Sequence, residues 1–448
     1  MMGLFRYLTS GPRVLGRRPL LAPVFLLLVA TLFYFVTILQ TSGTQASAGG
    51  RNLPSHPQDL LHDLRHTDQD RRARKSPQTH SERHRKHGGD VRGVIRQRQV
   101  VDDDSDNVVD RLVGLYKKKL DVLTSRRRNV FPSPQKSCTQ ERSIFRPCVD
   151  DTCSDSFLHP PEENLRDLLR RQHVIPAKYL RVLRNMTDPS VDKTSVTFLT
   201  GVSANHYLEG QPLIKNLVEE VFPSQLDFRF YVYDLGLNDK QRHSFQNHCP
   251  QCQLRSFPFS QLPPVFSNLK SYAWKSAIIQ AHLPLSDFVI WADSSVRFTT
   301  SNLTSVLEEV RERGMMVSTS SISTAIHTDP RMYDYFGVTS CLMSRFRELE
   351  GGFLLWHNSF YTQHAILSPW LACAFSPKCM YLYKTPAPSS VYDCRMKVRT
   401  YGTCHRFDQS AMSSILSKLY GDNVGFFIVR KGRIHKYNLH EKFQYLAD

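Results

Sequence analysis

The first 137 residues contain no cysteine, and the first 58 contain no acidic residue, in a chain of 448 residues with ten cysteines and 41 Asp+Glu. A second long apolar run is also missing. Only residues 20–39, LLAPVFLLLVATLFYFVTIL, are long and uncharged enough to cross a bilayer, which excludes a multi-pass membrane protein. A hydrophobic fraction of 41% excludes a wholly disordered chain, and the length excludes a small disulfide scaffold. The formal charge of +17 invites a nucleic-acid reading until it is located. Residues 1–50 carry +4, residues 51–135 carry +7, and the remaining 313 residues carry only +6. Most of the basicity therefore lies outside the part whose composition suits a packed core.

Residues 20–39 read as an uncleaved signal anchor. Arg6, Arg13, Arg17 and Arg18 precede the run and no charge follows until Arg51, so the positive-inside tendency keeps residues 1–19 cytosolic and sends the rest to the lumen. A cleaved signal peptide has a shorter apolar core. This topology excludes nucleic acid as a partner. The cysteines agree with it: Cys138, Cys148, Cys153, Cys249, Cys252, Cys341, Cys373, Cys379, Cys394 and Cys404 are even in number and read as disulfide candidates. Cys249 and Cys252 have a metal-like spacing but lack a second Cys/His pair. Asn185 and Asn302 begin N-glycosylation tripeptides. Residues 40–135 are poor in aromatics and rich in Arg, His, Asp and Ser, and are expected to form a disordered basic stem with one short helix near 108–123. Residues 136–189 are expected to be a disulfide-linked helical connector, with two short helices broken at Pro176.

Beyond residue 190 the pattern alternates. Strands are predicted at 195–200, 228–234, 253–257 and 287–291, and helices at 210–222, 238–248 and 269–282. Such alternation implies an α/β fold, a Rossmann-type sheet flanked by helices, with ligands beyond the carboxyl ends of the strands. Ser203, Asn205 and Asp234 then fall on one rim with Asp293 and Ser295.

The stretches TFLTGVSANHYLEGQPLIKNL, YVYDLGLN, YAWKSAIIQ, VIWADSSVRF and GTCHRFDQSAMSSIL resemble, over about residues 190–440, an uncharacterised lumenal domain family expanded in nematodes and other invertebrates. Their order also resembles the nucleotide-sugar half of the glycosyltransferase A fold. That resemblance implies a nucleotide-sugar donor, with Mn²⁺ or Mg²⁺ held by an Asp-x-Asp motif at the end of the fourth strand. Here the second aspartate is Ser295, which brings no charge to a cation. Ser203, Asn205, Asp234, Lys275, Asp293 and Ser295 are the expected donor-binding residues, and Asp293 with His435 (alternate His440) the expected metal ligands. Asp408 and Gln409, at the start of a helix, resemble an Asp-Gln pair of retaining members and are expected at the donor sugar. Glu350, before Gly351 and Gly352, is the third catalytic candidate, for the acceptor. Trp370 is expected to offer a face for sugar stacking.

The function expected is that of a Golgi type II membrane glycosyltransferase, retaining by resemblance, acting on a glycan or glycoprotein acceptor. The alternative is a catalytically inactive lumenal glycan-binding or scaffold protein that kept the fold.

Overall fold

A computed structural model describes residues 92–126, 160–188, 190–383, 388–394, 402 and 404–447, with side chains in the first segment described from Asn107 onward except Thr124 and Arg126. The expected cytosolic tail, the 20–39 run, the greater part of the stem, and Cys138, Cys148 and Cys153 lie outside these residues. Among the described residues no helix is long and apolar enough to cross a membrane.

In chain order the regular elements are α1 (Arg92–Arg126), α2 (Pro161–Arg170), α3 (Ala177–Arg184), β1 (Thr194–Val202), α4 (Tyr207–Asn216), β2 (Phe228–Asp234) and α5 (Asp239–His248). They continue with β3 (Cys252–Ser256), α6 (Ala273–His282), β4 (Ser286–Ala292), β5 (Val296–Phe298), α7 (Thr304–Arg313), β6 (Met315–Ser323) and α8 (Pro330–Phe336). The last are α9 (Ser340–Met343), β7 (Arg347–His357), α10 (Ser368–Phe375), α11 (Phe407–Tyr420) and β8 (His435–Tyr437). Six strands form one sheet in the order β3-β2-β1-β4-β7-β6. β1 to β4 are parallel, while β7 runs antiparallel to both β4 and β6. A separate antiparallel ribbon pairs β5 with β8.

The expected mixed α/β sheet is present. The four strands predicted from the sequence agree with β1–β4 to within two residues. The helix expected from residue 269 instead starts at Ala273, because Tyr272 has φ 54°, a left-handed conformation that ends a short 3₁₀ turn and re-aims the chain.

Side-chain parity divides the core. Along β4, Val289 and Trp291 face one apolar cluster, and Phe288, Ile290 and Ala292 face the other. The first cluster includes residues of α6, α10 and α11, the second residues of α4 and α7. Asp293, two residues after Trp291, therefore falls on the face of α6 and α11. Chain order places the crevice as well. β2 and β3 lie to one side of β1 and β4 to the other, so the order reverses at β1/β4, the switch point where open α/β sheets bind ligands.

Helix α1 corrects the expected stem. It lies within residues 40–135, is longer than the 108–123 helix expected, and packs into the core. Leu112, Val113, Tyr116, Leu120 and Leu123 are buried at helical spacing along one stripe, on the same side of the sheet as α2 and α11. Tyr116 is fully buried, donates its hydroxyl to the Leu419 carbonyl, and packs against Tyr361 and Tyr420. Composition misled here because, among the described side chains, Asp110, Arg111, Lys117, Lys118 and Asp121 are exposed and outweigh the apolar stripe in an average.

If α1 is docked in this way, Tyr116→Ala destabilises the protein by about 3–5 kcal/mol through the cavity it leaves. Tyr116→Phe, which leaves one carbonyl unbonded, costs about 1 kcal/mol. Urea denaturation of the two variants measures both, and equal, near-zero losses would show that α1 is not docked.

Candidate functional site

The site grows from the carboxyl end of β4. The backbone N–H of Asp293 donates to the Gly352 carbonyl at 2.8 Å, extending the β4–β7 ladder by one residue. The Val296 amide closes a turn on the Asp293 carbonyl at 2.9 Å. Trp291, on the same face two residues earlier, donates its indole N–H to Asp293 Oδ1 at 2.6 Å. The carboxylate is thereby aimed at α6, and its side chain keeps 32% of its exposure.

Lys275 meets it from α6. Its ammonium lies 3.1 Å from Asp293 Oδ1 and 3.3 Å from Asp408 Oδ2, and donates to the Gly351 carbonyl at 2.7 Å. Its side chain is 1% exposed, and the rings of Tyr272, Trp291 and Trp274 stand 5.3, 5.4 and 5.8 Å from Nζ. Burial by itself pulls the ammonium's pKa down, but the charges of Asp293 and Asp408 override it and leave the value above the ordinary one. Asp408 sits at the start of α11 and is buried. Oδ2 has only the ion pair with Lys275 and no hydrogen bond of good geometry. Burial, reinforced by the charge of Asp293 and opposed by Lys275, pushes this carboxyl up to about 6.

Two further features hold the arrangement. On β7 the pairing jumps from Val317↔Leu354 to Ser318↔Glu350, so a bulge containing Gly351 and Gly352 faces one step of β6. A Cβ on Gly351 would lie 2.4 Å from Asp408 Oδ2, and one on Gly352 2.9 Å from the Tyr437 ring and 3.2 Å from Asp293 Oδ2. Glycine is required at both because the two carboxylates lean on the backbone. Phe407, directly before Asp408, has φ 40°, and Tyr272 is three residues before Lys275. These are the only non-glycine residues with positive φ among those described, and they flank the buried ion pair from both helices.

The other expected residues divide. Ser203 donates to Asn205 Oδ1 at 2.7 Å at the end of β1, beside the crevice, where Asn205 is exposed. Gln409 is half-buried and touches the Gly351 side of the site. Glu350 Oε1 pairs with Lys431 at 2.6 Å, on the rim near Tyr437. Asp234 is corrected: Oδ1 accepts from the amides of Gly236 and Leu237, and Oδ2 from Arg242 Nε at 2.6 Å, so this buried carboxylate builds the turn after β2 and has little left for a ligand. Trp370 is corrected too. It is 1% exposed, stacks on Trp356 and donates to the Asp408 carbonyl, supporting α11 from the core rather than meeting a sugar.

The residues present do not fit a divalent cation. His435 is fully buried, stacks on Phe353, and holds Ser318 through Nε2 at 2.7 Å. Burial lowers its pKa to about 4 and leaves a neutral imidazole whose Nδ1 has no hydrogen-bond partner, but the β5–β8 register sets it opposite Phe298, away from the Asp293 end of that ribbon. His440 is exposed, and no contact joins it to Asp293. Ser295 is buried, and Asp293 is already paired with an ammonium. Among the described residues only His327, Cys394 and Cys404 gather three possible metal-ligating atoms, and the two cysteines are joined in a disulfide. Cys249–Cys252 and Cys373–Cys379 are disulfides as well, and Cys341 is disulfide-bonded. Asn185 and Asn302 are exposed.

Sequence reasoning missed Tyr272, Trp291 and Tyr437 at the site, and the buried hydrogen bond between His327 Nδ1 and Glu348 Oε2 at 3.0 Å. Tyr437 arrives through the pairing of β8 with β5, which carries no local signal.

A family model described as "Protein of unknown function (DUF1647)" matches residues 167–280, a span that contains Lys275 and ends before Asp293. No curated protein sequence matches. Among solved structures the chain is similar to the WbbM bifunctional glycosyltransferase in its apo form, at 8% identity and a TM-score of 0.32, covering 54% of this chain and 39% of that one. The chain therefore spans well under half of that structure. It is also similar to mouse xyloside xylosyltransferase 1, apo form (10% identity, TM-score 0.31, 57% of this chain and 100% of that one). A third is core-mannan synthase A of Aspergillus fumigatus, in a form with Mn and GDP (10% identity, TM-score 0.33, 56% of this chain and 77% of that one).

Because the Asp408 carboxyl titrates at about 6 in the fold against an ordinary 3.8, the folded protein binds this proton more tightly than the unfolded chain. Its contribution to stability is full below about pH 4 and is lost as pH rises through about 6. Asp408→Asn should flatten that part of the stability profile, read as denaturation midpoints of both proteins between those values. Parallel profiles would show that Asp408 is ionised throughout.

Proposed function

We propose that this chain is a glycosyltransferase that moves a sugar from a nucleoside-diphosphate sugar to a hydroxyl of a glycan or glycoprotein, with retention of configuration. The observation that carries the reading is Asp293, fixed by Trp291 and Lys275 at the carboxyl end of β4, partly exposed beside the β1/β4 crevice. A carboxylate held there is suited to accept hydrogen bonds from sugar or ribose hydroxyls. Ser203 and Asn205, at the end of β1, would meet the nucleoside. Gln409 would hold the donor sugar with its amide. Asp408 and Lys275 are too buried to touch it and act as positioning residues. Glu350 and Lys431, on the rim, would meet the acceptor and the departing phosphate.

In the transfer, the bond between the sugar's anomeric carbon and the phosphate oxygen breaks. The acceptor oxygen bonds to that carbon on the same face, and its proton passes to the leaving phosphate oxygen. The products are the glycoside and the nucleoside diphosphate. Fixed dipoles and charges aimed at the separating groups are the usual source of such catalysis. The uncharged run at residues 20–39, the disulfides and the exposed Asn185 and Asn302 support a single-pass type II protein of the Golgi membrane, with the domain lumenal.

One observation favours a second reading, a binding protein without turnover: the Lys275 ammonium is already held by the Gly351 carbonyl and the Asp293 and Asp408 carboxylates, and Asp408 is closed behind it. Full-length protein incubated with a panel of UDP- and GDP-sugars and scored for nucleoside diphosphate release separates the two. Turnover is expected, falling by at least about 100-fold in Asp293→Asn, the size of loss seen when a fixed polar group leaves a reaction centre. Binding of the nucleotide sugars without release would leave the binding reading standing.

A further inference from the structure

The Lys275 ammonium occupies a cation site. Four oxygens surround it: the Gly351 carbonyl at 2.7 Å, Asp293 Oδ1 at 3.1 Å and Oδ2 at 3.4 Å, and Asp408 Oδ2 at 3.3 Å. Carboxylates and a backbone carbonyl are the ligands a hard divalent ion takes. Here they come from β4, α11 and the β7 bulge, and the cation comes from α6. The bulge turns the Gly351 carbonyl inward, and the aromatic rings of Tyr272, Trp274 and Trp291 wall the ammonium off from water. A second cation on Asp293 would stand beside a buried positive charge, and the neighbouring Ser295 brings no anionic group to offset the repulsion. On the solvent side Lys431 stands 5.1 Å from the Tyr437 ring, 45% exposed and paired with Glu350 at 2.6 Å.

We infer that Lys275 replaces the divalent ion, so that the site binds the diphosphate of its nucleotide without a metal. Lys275 neutralises Asp293 from behind, and Lys431 meets the phosphates from the open side. This rests on the proposed function, whose donor it describes.

The test uses full-length protein and UDP, GDP, ADP and CDP as probes, with calorimetric titration in EDTA and again in Mn²⁺. The nucleotide that binds is expected to do so with the same affinity in both media, to within about threefold. In parallel, Mn²⁺ binding without nucleotide is followed by electron paramagnetic resonance. The unaltered protein should take up none tightly, and Lys275→Ala should gain a bound Mn²⁺ in the vacated oxygen cage. Nucleotide binding that appears only with Mn²⁺ overturns the inference and leaves the glycosyltransferase reading intact. Failure of every nucleotide in both media overturns the two together. If Lys275→Ala fails to fold, as judged by circular dichroism, the comparison of EDTA with Mn²⁺ on the unaltered protein still decides.

Discussion

One buried positive charge organises the carboxyl end of the sheet. An ammonium removed from water is strongly unfavourable unless anions and acceptors replace its hydration. Lys275 has two carboxylates and a carbonyl for that purpose, and each replacement sets a demand on a different segment. Gly351 and Gly352 must be glycine because a Cβ would displace a carboxylate or Tyr437. Asp293 must be turned inward, which Trp291 does. Tyr272 and Phe407 take up left-handed backbone so that α6 and α11 begin at the right places. Strain of a few kcal/mol at two such residues is tolerable only where the surrounding contacts over-determine it, and an ion pair with three anchors is such a place.

The same cluster ties the two sides of the fold together. Lys275 belongs to a helix that packs on the parallel half of the sheet, Asp408 to a helix that covers β7, and the bulge to β7 itself. Parity along β4 decides that all three meet on one face. Had the strand slipped by one residue, Asp293 would point toward α4 and α7, and Lys275 would be left without an anion. The ion pair therefore favours one register of β4 over its neighbours, a use for buried charge that differs from added stability.

Much of this was legible in the sequence. β1 to β4 were marked by alternating β-branched and aromatic runs ending in polar turns, and Lys275, Asp293, Asp408 and Gln409 were each marked as site candidates by residue type and place. What could not be read was their relation. Asp293 and Asp408 are 115 positions apart, and nothing local shows that a lysine from a preceding helix lies between them. Asp234 and Trp370 were misplaced for a shared reason: a carboxylate at a turn and an indole near a disulfide look alike in sequence whether they face solvent or the interior. Helix α1 was hidden by composition, since the charged face of an amphipathic helix outweighs its apolar stripe in any average.

The missing second aspartate reads differently once Lys275 is in place. An Asp at position 295 would bring another negative charge to a strand end where Asp293 and Asp408 already share a single ammonium, and Ser295 is itself buried. A buried carboxylate there would need its own cation. The serine is thus the residue that charge balance asks for around a built-in cation. The uncharged Ser295 and the buried Lys275 belong to one electrostatic arrangement.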